Sequence, residues 1–541
     1  MEMANRSGRW LAPALFAAGF ALVFRGWLFS GFDRAFGDEQ DGYLALALIE
    51  HWHQVFAGAA HWTDPIIFYP QRGTLGYTDA YFLIGLFHAL LRVLSLDTFT
   101  AYMLVMAALA TVGFFGFRRL AMRHFDLPPA YAAIGAFLFA FANMDAVKLV
   151  HVQAYCALLL PGLCDLGLSA WNSKRHAAVL GAAAGLLYAA LLLTAFQTAW
   201  FFACYLMLLA LLHPAVCGLS ATRSLAREIT TAKRPMVLGA ACGFAAGIVP
   251  FLILYLPVAL AGHSRDFAEV VSNMPEWRDL ANVTPENGVW GGVLQWLAIA
   301  GRPERPAWEV ELGFTPAVLA IFIAGLVALA ARTRQQPPAD RDVYFLMVGA
   351  AVVVFWLLQM HYFGVRPWRA VWAALPGAKA IRYTFRSQLV ANLFVALVVA
   401  RVLAGLGSRR AVTALLCGLL LIEQINLVWP ATVSRRAALA WIDAVPPPPA
   451  GCRIFYLTPG AAADGQSDPQ RQTEAMLFAE IRNIPTVNGY SSWFPAGWTL
   501  EDPASPGYPA AVRDWAHRNG IEQDLCALEP RSGQWTAGLP R

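Results

Sequence analysis

The sequence predicts an all-α polytopic membrane protein of about eleven transmembrane helices, followed by a small α/β domain. Of its 541 residues, 58% are hydrophobic and only 14% are charged. A soluble domain of this size has nearer a quarter of its residues charged. Apolar runs of about 20 residues, the length that crosses a bilayer, recur up to residue 430. Beyond that residue the chain is more polar, which indicates a separate domain.

The apolar runs predict twelve helices, of which one does not cross the membrane. We expect spans at 11–30, 99–118, 128–145, 152–170, 176–195, 197–212, 236–260, 312–331, 343–360, 386–403 and 411–430. The remaining run, 81–96, is short and contains His88 and Arg92. Five linkers between spans are basic, at 118–124, 174–176, 223–234, 332–341 and 409–410. If the run 81–96 lies on the outer surface, all five linkers fall in the cytoplasm, as the positive-inside rule requires. The N-terminus is then cytoplasmic and the C-terminus is outside.

Arg25 lies inside the first apolar run, near its outer end. Two interpretations remain open for this cation. Its guanidinium either snorkels to the membrane surface or serves a function within the membrane.

The chain divides into three parts. Residues 1–430 form the transmembrane domain, with an outer loop at 31–98, and 431–450 form a Pro-rich linker. Residues 451–541 form the α/β domain, with strands predicted at 452–458 and 523–528 and helices at 470–483 and 510–519. Cys452 and Cys526 lie in this domain, and whether they form a disulfide is open.

Composition and motifs exclude several classes of function. The net charge of +5 comes from basic residues in short linkers between apolar runs, which orient helices and do not indicate a nucleic-acid partner. The sequence contains no phosphate-binding loop, dinucleotide fingerprint, zinc motif or nucleophile elbow in a credible context.

The outer loop begins with two aspartates, Asp38 and Asp41, at the start of a predicted helix. Because they are three residues apart, they share a helix face. A carboxylate near lipid can act as a general base toward a hydroxyl group, whereas helix capping is the alternative. An apolar stripe follows, which we expect to rest on the bilayer surface: Leu44, Leu48, Trp52 and Val55.

Further polar residues lie in the other outer segments. Asp79 precedes the 81–96 helix, where it either caps that helix or faces the same cavity as the first aspartates. The turn between two spans carries Asp145, Lys148, His151 and Gln153, which contact either an anionic group or the membrane interface.

A basic cluster lies at the entry to a later span. Arg382 and Arg386 are four residues apart, a spacing suited to one phosphate or diphosphate, with Lys379 beside them. Neutralisation of the acidic loop is the competing explanation.

Taken together, these motifs resemble the GT-C superfamily of membrane glycosyltransferases, as seen in a large bacterial group of GT-C-like membrane proteins. The resemblance is strongest over residues 10–200. It rests on an early outer aspartate in GDEQD, Glu50–His51, FYP, YTD, FRRLAMRH at the end of a span, and FANMDAVKLVHVQ at the outer turn.

The resemblance implies an inverting glycosyltransferase at the outer face of a bacterial inner membrane, with a periplasmic active site. The donor would be a polyprenyl-phosphate sugar, and the acceptor a glycan, lipid or protein. Asp38 or Asp41 would be the catalytic base, with Asp38 slightly favoured, and Asp79 or Asp145 the second acidic residue. A divalent cation is left open, with Asp38 and Asp145 as its candidate ligands.

Two other functions are compatible with the sequence. A lipid-linked glycan flippase or other transporter would require intramembrane charges along a path through both leaflets, whereas the charges here gather on one face. A non-catalytic GT-C-like scaffold that binds lipid would keep the same aspartates for structural reasons.

Overall fold

The structure is a computed structural model that describes residues 2–301, 307–335, 340–407, 409–428, 432–458, 467–530 and 532–540. The first part of the chain contains four helices and one short strand. In order these are α1 (Glu2–Val23), α2 (Arg25–Phe29), β1 (Arg34–Ala35), α3 (Asp41–Phe56) and α4 (Phe82–Val93).

The first predicted span, 11–30, is a helix that begins earlier and is divided at Phe24, between α1 and α2. Both interpretations of Arg25 stay predictions, and the structure adds its hydrogen-bond partners. Its guanidinium donates hydrogen bonds to the carbonyls of Leu22 at 2.7 Å, Asn426 at 3.0 Å and Val428 at 2.5 Å. Arg25 therefore ties the N-terminal helices to the segment that follows the last membrane helix.

The membrane region continues through α21. Its helices are α5 (Thr98–His124), α6 (Pro129–Ala140), α7 (Asn143–Val147), α8 (Val152–Tyr155), α9 (Leu160–Asn172), α10 (Ala177–Thr194), α11 (Phe196–Cys217), α12 (Leu219–Thr230), α13 (Arg234–Leu260), α14 (Phe267–Ser272), α15 (Gly291–Trp296), α16 (Ala307–Val310), α17 (Pro316–Gln335), α18 (Asp340–Gln359), α19 (Trp368–Ala374), α20 (Gln388–Gly405) and α21 (Arg410–Ile422). Short 3₁₀ turns occur at Thr74–Tyr77, Cys156–Leu159, Trp277–Ala281, Ala378–Ala380 and Thr384–Ser387.

Within the described residues, nine helical segments are long and apolar enough to cross a membrane. They confirm nine of the eleven predicted spans: Thr98–His124, Pro129–Val147, Val152–Asn172, Ala177–Thr194, Phe196–Cys217, Arg234–Leu260, Pro316–Thr333, Asp342–Gln359 and Thr384–Gly405. The first and last spans correspond to the shorter apolar helices Trp10–Val23 and Arg410–Ile422.

The last predicted span, 411–430, is shortened because Glu423 follows it in a buried position. Its carboxylate accepts hydrogen bonds from the backbone N–H groups of Ala317 and Val318, each at 3.0 Å. These N–H groups belong to the first turn of α17, where a helix has no internal acceptors for them. The chain therefore leaves its helical path at Ile422 to bring this carboxylate to α17.

The 81–96 segment forms α4, whose 12 residues rise about 18 Å. This length is well short of the roughly 30 Å hydrocarbon core, so the helix is too short to cross unaided. Arg92 of α4 forms an ion pair with Glu50 of α3 at 2.9 Å. Trp52 of α3 donates a hydrogen bond from its indole to the carbonyl of Ala80 at 2.7 Å.

The apolar stripe of α3 does not rest on the bilayer, so that prediction is wrong. Leu48 and Trp52 are buried within the protein. Helix α4 packs on α3 at Trp52, and the polar end of the chain covers α3 as well: Gln54 donates to the carbonyl of Glu480 at 2.8 Å. The hydrophobic stripe is part of a protein core instead of a membrane-contacting face.

The C-terminal part contains β2 (Val433–Ser434), α22 (Arg435–Ala444), β3 (Ile454–Leu457), α23 (Asp468–Arg482), α24 (Tyr508–Asn519), β4 (Leu525–Glu529) and β5 (Gln534–Ala537). Strands β3 and β4 pair in parallel and β4 and β5 antiparallel, in the order β3-β4-β5. The two predicted strands and two predicted helices are confirmed, and β5 is additional. Cys452 and Cys526 form a disulfide with their Cα atoms 5.5 Å apart.

This C-terminal part is joined to the outer loop 31–98 by backbone hydrogen bonds. Strand β2 pairs antiparallel with β1. Tyr69 N–H donates to the carbonyl of Thr486 at 2.9 Å, and Thr486 N–H donates to the carbonyl of Ile66 at 2.9 Å. Phe68 N–H donates to the carbonyl of Asn488 at 3.0 Å. The first outer loop and the C-terminal domain therefore form one continuous structure.

Helices α10 and α13 approach each other closely through glycines. Gly181 and Gly185 of α10 face the backbone of α13, and Gly239 and Gly243 of α13 face the backbone of α10. A Cβ atom at Gly243 would lie 2.0 Å from the carbonyl oxygen of Ala182. Small residues at such contacts allow membrane helices to pack backbone against backbone.

We therefore expect Gly243→Ala to destabilise the protein by ~1–3 kcal/mol, since the new methyl group would overpack a contact made by backbone atoms. The matched control is Gly167→Ala in α9, where a Cβ would meet no atom within 4 Å. Thermal unfolding of the purified protein in detergent measures both. Equal unfolding midpoints for the two variants would contradict the assigned packing.

Candidate functional site

Five polar segments converge at one end of the helix bundle: the loop 31–98, the turn 145–153, the loop 261–311, the segment 361–385 and the C-terminal domain. Their side chains form a group that we call the inner cluster: Asp41, Lys148, His151, Glu309 and Arg386. Its members come from the start of α3, the α7–α8 turn, α16 and the 3₁₀ turn before α20. The structure thus brings together residues predicted separately along the sequence.

Asp41 is held by His151, with 3.2 Å between Asp41 Oδ2 and His151 Nε2. Partial burial favours the neutral acid, but the hydrogen bond and charge of His151 and the charge of Arg386 outweigh it, so the pKa of Asp41 is lowered. Burial is the main reason why the pKa of His151 is also lowered. At neutral pH the pair is therefore a carboxylate beside a neutral imidazole, and 35% of the Asp41 side chain remains exposed.

Glu309 is the centre of the inner cluster. Arg386 donates two hydrogen bonds to its carboxylate, at 3.0 Å and 2.5 Å, and Lys148 Nζ lies 3.4 Å from it. Burial tends to raise the pKa of Glu309, but the two cations lower it to about 2. Burial lowers the pKa of Lys148 to about 8 despite the attraction of Glu309. With Asp41 ionised, two carboxylates face two cations, so the cluster carries no net charge at neutral pH.

Asp38 has a different environment from Asp41. It is exposed, and its Oδ1 accepts hydrogen bonds from the N–H groups of Gln40 at 3.0 Å and Gly42 at 3.2 Å. These bonds satisfy amide groups at the start of α3, as the capping alternative requires. Among the described contacts, none joins Asp38 to the inner cluster.

A second group, which we call the outer cluster, consists of Arg265, Glu269, Lys379 and Arg382. Arg382 Nε lies 2.9 Å from Glu269 Oε1, and Arg265 lies 3.4 Å from the same oxygen. Lys379 is exposed, and its backbone carbonyl accepts a hydrogen bond from Arg265 N–H at 2.8 Å. Three cations and one carboxylate leave this surface positively charged.

The predicted arginine pair is divided between the two clusters. Arg386 binds Glu309 and Arg382 binds Glu269, while both guanidinium groups lie about 5 Å from the ring of Tyr383. The carboxylates they neutralise belong to the loop 261–311 and not to the acidic loop 31–98. Arg382 has the more accessible guanidinium, with a side chain that is 43% exposed.

Asp79 does not cap the helix that follows it, so that alternative is wrong. The residue at the N-cap of α4 is Tyr81, which receives no side-chain cap. Asp79 instead accepts a hydrogen bond from Phe196 N–H at 2.8 Å, at the start of α11. Burial raises the pKa of Asp79 to about 6, although this hydrogen bond and the charge of Arg386 oppose the shift.

Asp79 lines a small cleft beside the inner cluster that is partly open to solvent and has room inside for about one water-sized group. The cleft is lined by Asp79, Gln153, Ala154, Ala195, Gln197, Thr198, Phe201, Arg386 and Leu389. Gln153 is fixed there because its Oε1 accepts a hydrogen bond from Tyr81 Oη at 3.2 Å.

The candidate metal ligands do not form a binding site. Asp145 is buried, and its Oδ2 has no hydrogen-bond partner. Within the described part of the chain, no three His, Cys, Asp or Glu side chains come close enough to hold a metal ion. Asp38 and Asp145 therefore do not fit a shared cation, and we assign no step to one.

The sequence did not single out several residues that the structure places here. Glu309, just before a span, was a further candidate of low specificity in the sequence, whereas Glu269, Tyr383 and Gln197 carried no motif. One feature of the sequence could have identified some of them. Polar side chains are costly in a membrane, so Gln197 and Thr198 at the start of an apolar span mark a candidate site.

Comparison with solved structures shows what this fold is similar to. No protein-family model and no curated protein matches the chain. The crystal structure of the Archaeoglobus fulgidus oligosaccharyltransferase in complex with Zn and sulfate matches with a TM-score of 0.51 and 14% identity, covering 96% of this chain and 67% of that one. Its apo form gives a TM-score of 0.49 at 12% identity, covering 96% and 69%.

The chain has a GT-C-like fold. The expected fold class is thereby confirmed for a multi-pass helical protein with a small α/β C-terminal domain. In this fold the inner cluster lies where the loop 31–98 meets the α7–α8 turn, two of the segments whose motifs carried the resemblance.

We expect the Glu309–Arg386 pair to be strongly coupled. Glu309→Gln leaves Arg386 and Lys148 buried without their counter-charge and should cost ~3–5 kcal/mol of stability. Arg386→Gln leaves Glu309 with one cation, and the double variant should lose less than the sum of the two. Thermal unfolding of all four proteins gives the coupling energy.

The control is Glu228→Gln, which removes a pair between Lys233 and the exposed Glu228 at 3.5 Å and should cost less than ~1 kcal/mol. Additive losses in the double variant would show that the two residues act independently.

Proposed function

We propose that this protein is an inverting glycosyltransferase that moves a sugar from a polyprenyl-phosphate donor to a hydroxyl acceptor. The fold likeness to an oligosaccharyltransferase supports a glycosyltransferase in general. The observation that carries the proposal is the position of Asp41: a partly exposed carboxylate, paired with His151, at the edge of the inner cluster and within reach of the charge of Arg386.

Asp41 is the proposed catalytic base. Its carboxylate accepts the proton of the acceptor hydroxyl as the hydroxyl oxygen bonds to the anomeric carbon. The bond between that carbon and the donor phosphate oxygen breaks at the same time, and its electron pair leaves on the polyprenyl phosphate. His151 is a positioning residue that holds Asp41 in place and keeps it ionised. Asp38 is assigned to capping of α3.

The outer cluster is the proposed phosphate site, because its net positive charge complements a phosphate. Lys379 and Arg382 are the most accessible cations, and Arg265 is beside them. Arg386 and Lys148 contribute from the inner cluster, although Glu309 compensates part of their charge. A phosphate placed near Tyr383 would lie between the two arginines.

The C-terminal domain forms one wall of the proposed site. Arg265 stacks on Trp493 at 4.3 Å and donates to the carbonyl of Ser492 at 3.2 Å. The pKa of Tyr490 is raised by burial and then by the charge of Asp41, which supports a position of this segment near the proposed base. We propose that the acceptor, whether glycan, lipid or protein, approaches along this wall.

We place the protein in a bacterial inner membrane with its N-terminus in the cytoplasm. The converging polar segments and the C-terminal domain are then on the periplasmic side, opposite the basic linkers. An oxidising periplasm agrees with the Cys452–Cys526 disulfide.

We expect Asp41→Asn to lower transfer by ~10²–10⁴-fold, because the amide cannot accept the hydroxyl proton. The measurement is transfer from radiolabelled polyprenyl-phosphate sugars to a membrane extract by the purified protein. Asp38→Asn is the matched control and should retain most activity, since asparagine caps helices as well as aspartate does.

Absence of transfer by the wild-type protein with every donor tested would contradict the transferase assignment. Full activity of Asp41→Asn together with loss in Asp38→Asn would instead assign the base to Asp38.

The topology predicts that both ends of α4 are accessible from the periplasm. In a background without the free cysteines (Cys156, Cys164, Cys204, Cys217, Cys242 and Cys417), we would introduce Arg72→Cys and Ser95→Cys, both at exposed positions. A membrane-impermeant maleimide should label both in intact cells and leave the cytoplasmic control Arg223→Cys unlabelled. Labelling of only one of the two would place a membrane crossing at α4.

A further inference from the structure

The cleft behind Arg386 contains polar groups that the proposed chemistry does not use. Asp79 Oδ1 accepts a hydrogen bond from Phe196 N–H, and none of the described contacts gives Oδ2 a hydrogen bond. Gln197 Oε1 is buried without a hydrogen-bond partner. Gln153 accepts from Tyr81, and none of the described hydrogen bonds uses its side-chain N–H groups as donors. Free acceptors and donors therefore converge on one small space.

The chemistry of the lining excludes several occupants. A phosphate would face the Asp79 carboxylate, and the one cation present, Arg386, is already neutralised by Glu309. A lipid tail would bury unsatisfied polar groups, which is costly. A neutral group with several hydroxyls fits both the acceptors and the donors, and the ring of Phe201 provides an apolar wall.

The cleft adjoins the proposed reaction centre. Arg386 lines the cleft and also belongs to the inner cluster with Asp41, so this guanidinium is shared by the cleft and the reaction centre. Arg386 also packs over Tyr383, which contacts Arg382 of the outer cluster as well. A ligand whose phosphate contacts both arginines would have its next chemical group close to the cleft.

We infer that the cleft is the subsite for the hydroxyl groups of the sugar that is transferred, with Asp79, Gln153 and Gln197 as the residues that select it. This inference rests on the proposed function for its choice of donor. Asp79 accepts hydrogen bonds from sugar hydroxyls, Gln197 and Gln153 contribute an amide acceptor and amide donors, and Thr198 closes the polar edge. The interior of the cleft has room for about one hydroxyl group, so the sugar ring itself would lie at its open mouth.

Binding to the full-length protein in lipid nanodiscs tests the subsite independently of catalysis. The probes are a polyprenyl phosphate and the same lipid carrying glucose, galactose, mannose or N-acetylglucosamine. The wild-type protein should bind at least one glycosylated lipid ~10-fold or more tightly than the bare lipid, as two or three hydrogen bonds would provide.

Asp79→Asn keeps an acceptor for Phe196 N–H but removes the charge, and should weaken binding of the preferred glycosylated lipid by ~10–100-fold. Gln197→Leu should weaken it by ~2–10-fold. Neither variant should change affinity for the bare lipid by more than about twofold. Gln523→Leu, at an exposed position of the C-terminal domain, is the matched control, and thermal unfolding verifies that each variant is folded.

Two results would overturn the inference: wild-type protein that binds all glycosylated lipids no more tightly than the bare one, or variants that weaken both kinds of lipid equally. Sugar-dependent binding without transfer would retain the subsite and refute the transferase. Transfer with unchanged sugar preference in Gln197→Leu and Asp79→Asn would retain the transferase and refute the subsite.

Discussion

The buried carboxylate of Glu309 connects the polar segments that converge at one end of the helix bundle. Burying Glu309, Arg386 or Lys148 alone would be prohibitively costly, and together they compensate one another. Because these residues come from three separate segments, the charge balance forces α16, the α7–α8 turn and the start of α20 to meet. Asp41 and His151 then occupy the open edge of this group. The geometry around the proposed base follows from this electrostatic requirement.

A second buried hydrogen-bond network is centred on Asn143, which precedes Lys148 in the chain. Asn143 Oδ1 accepts hydrogen bonds from the amides of Asn287 and Asn426, and its own amide donates to the carbonyl of Val283 at 2.9 Å. Its N–H donates to Gln424 Oε1 at 3.1 Å. The side-chain oxygen, the side-chain nitrogen and the backbone N–H of Asn143 are thus all hydrogen-bonded, which favours a rigid buried network. The network fixes the helix that precedes Lys148 and His151, so the functional turn is mounted on a rigid support.

The sequence predicted the membrane helices well, because each is a local apolar run whose length is set by the bilayer. It also placed Asp41 and His151 on the same side of the membrane, because the positive-inside rule uses only the positions of basic residues along the chain. It failed where a partner lies far along the chain. Asp79 caps a helix 117 residues later, and α3 is covered by a helix more than 400 residues later. No local pattern contains such partners, so capping and surface contact were assigned to the wrong neighbours.

The division of the arginine pair illustrates the same limit. A four-residue spacing indicated one shared ligand, but each guanidinium is held by a different carboxylate of the loop 261–311. Spacing defines which side chains are near each other and not which counter-charges reach them. The proposed phosphate site therefore moves toward Arg382, Lys379 and Arg265, whose charges are only partly compensated.

The pairing of β1 with β2 and of residues 66–69 with 486–488 has a consequence for biosynthesis. The first of these segments is synthesised well before its partners, which follow at 433–434 and 486–488 after the membrane helices. The wall formed by Tyr490 and Trp493 is therefore missing until those later segments have been made. A nascent chain that has not reached them has the acidic loop without this wall, so the proposed site is completed only after the membrane helices.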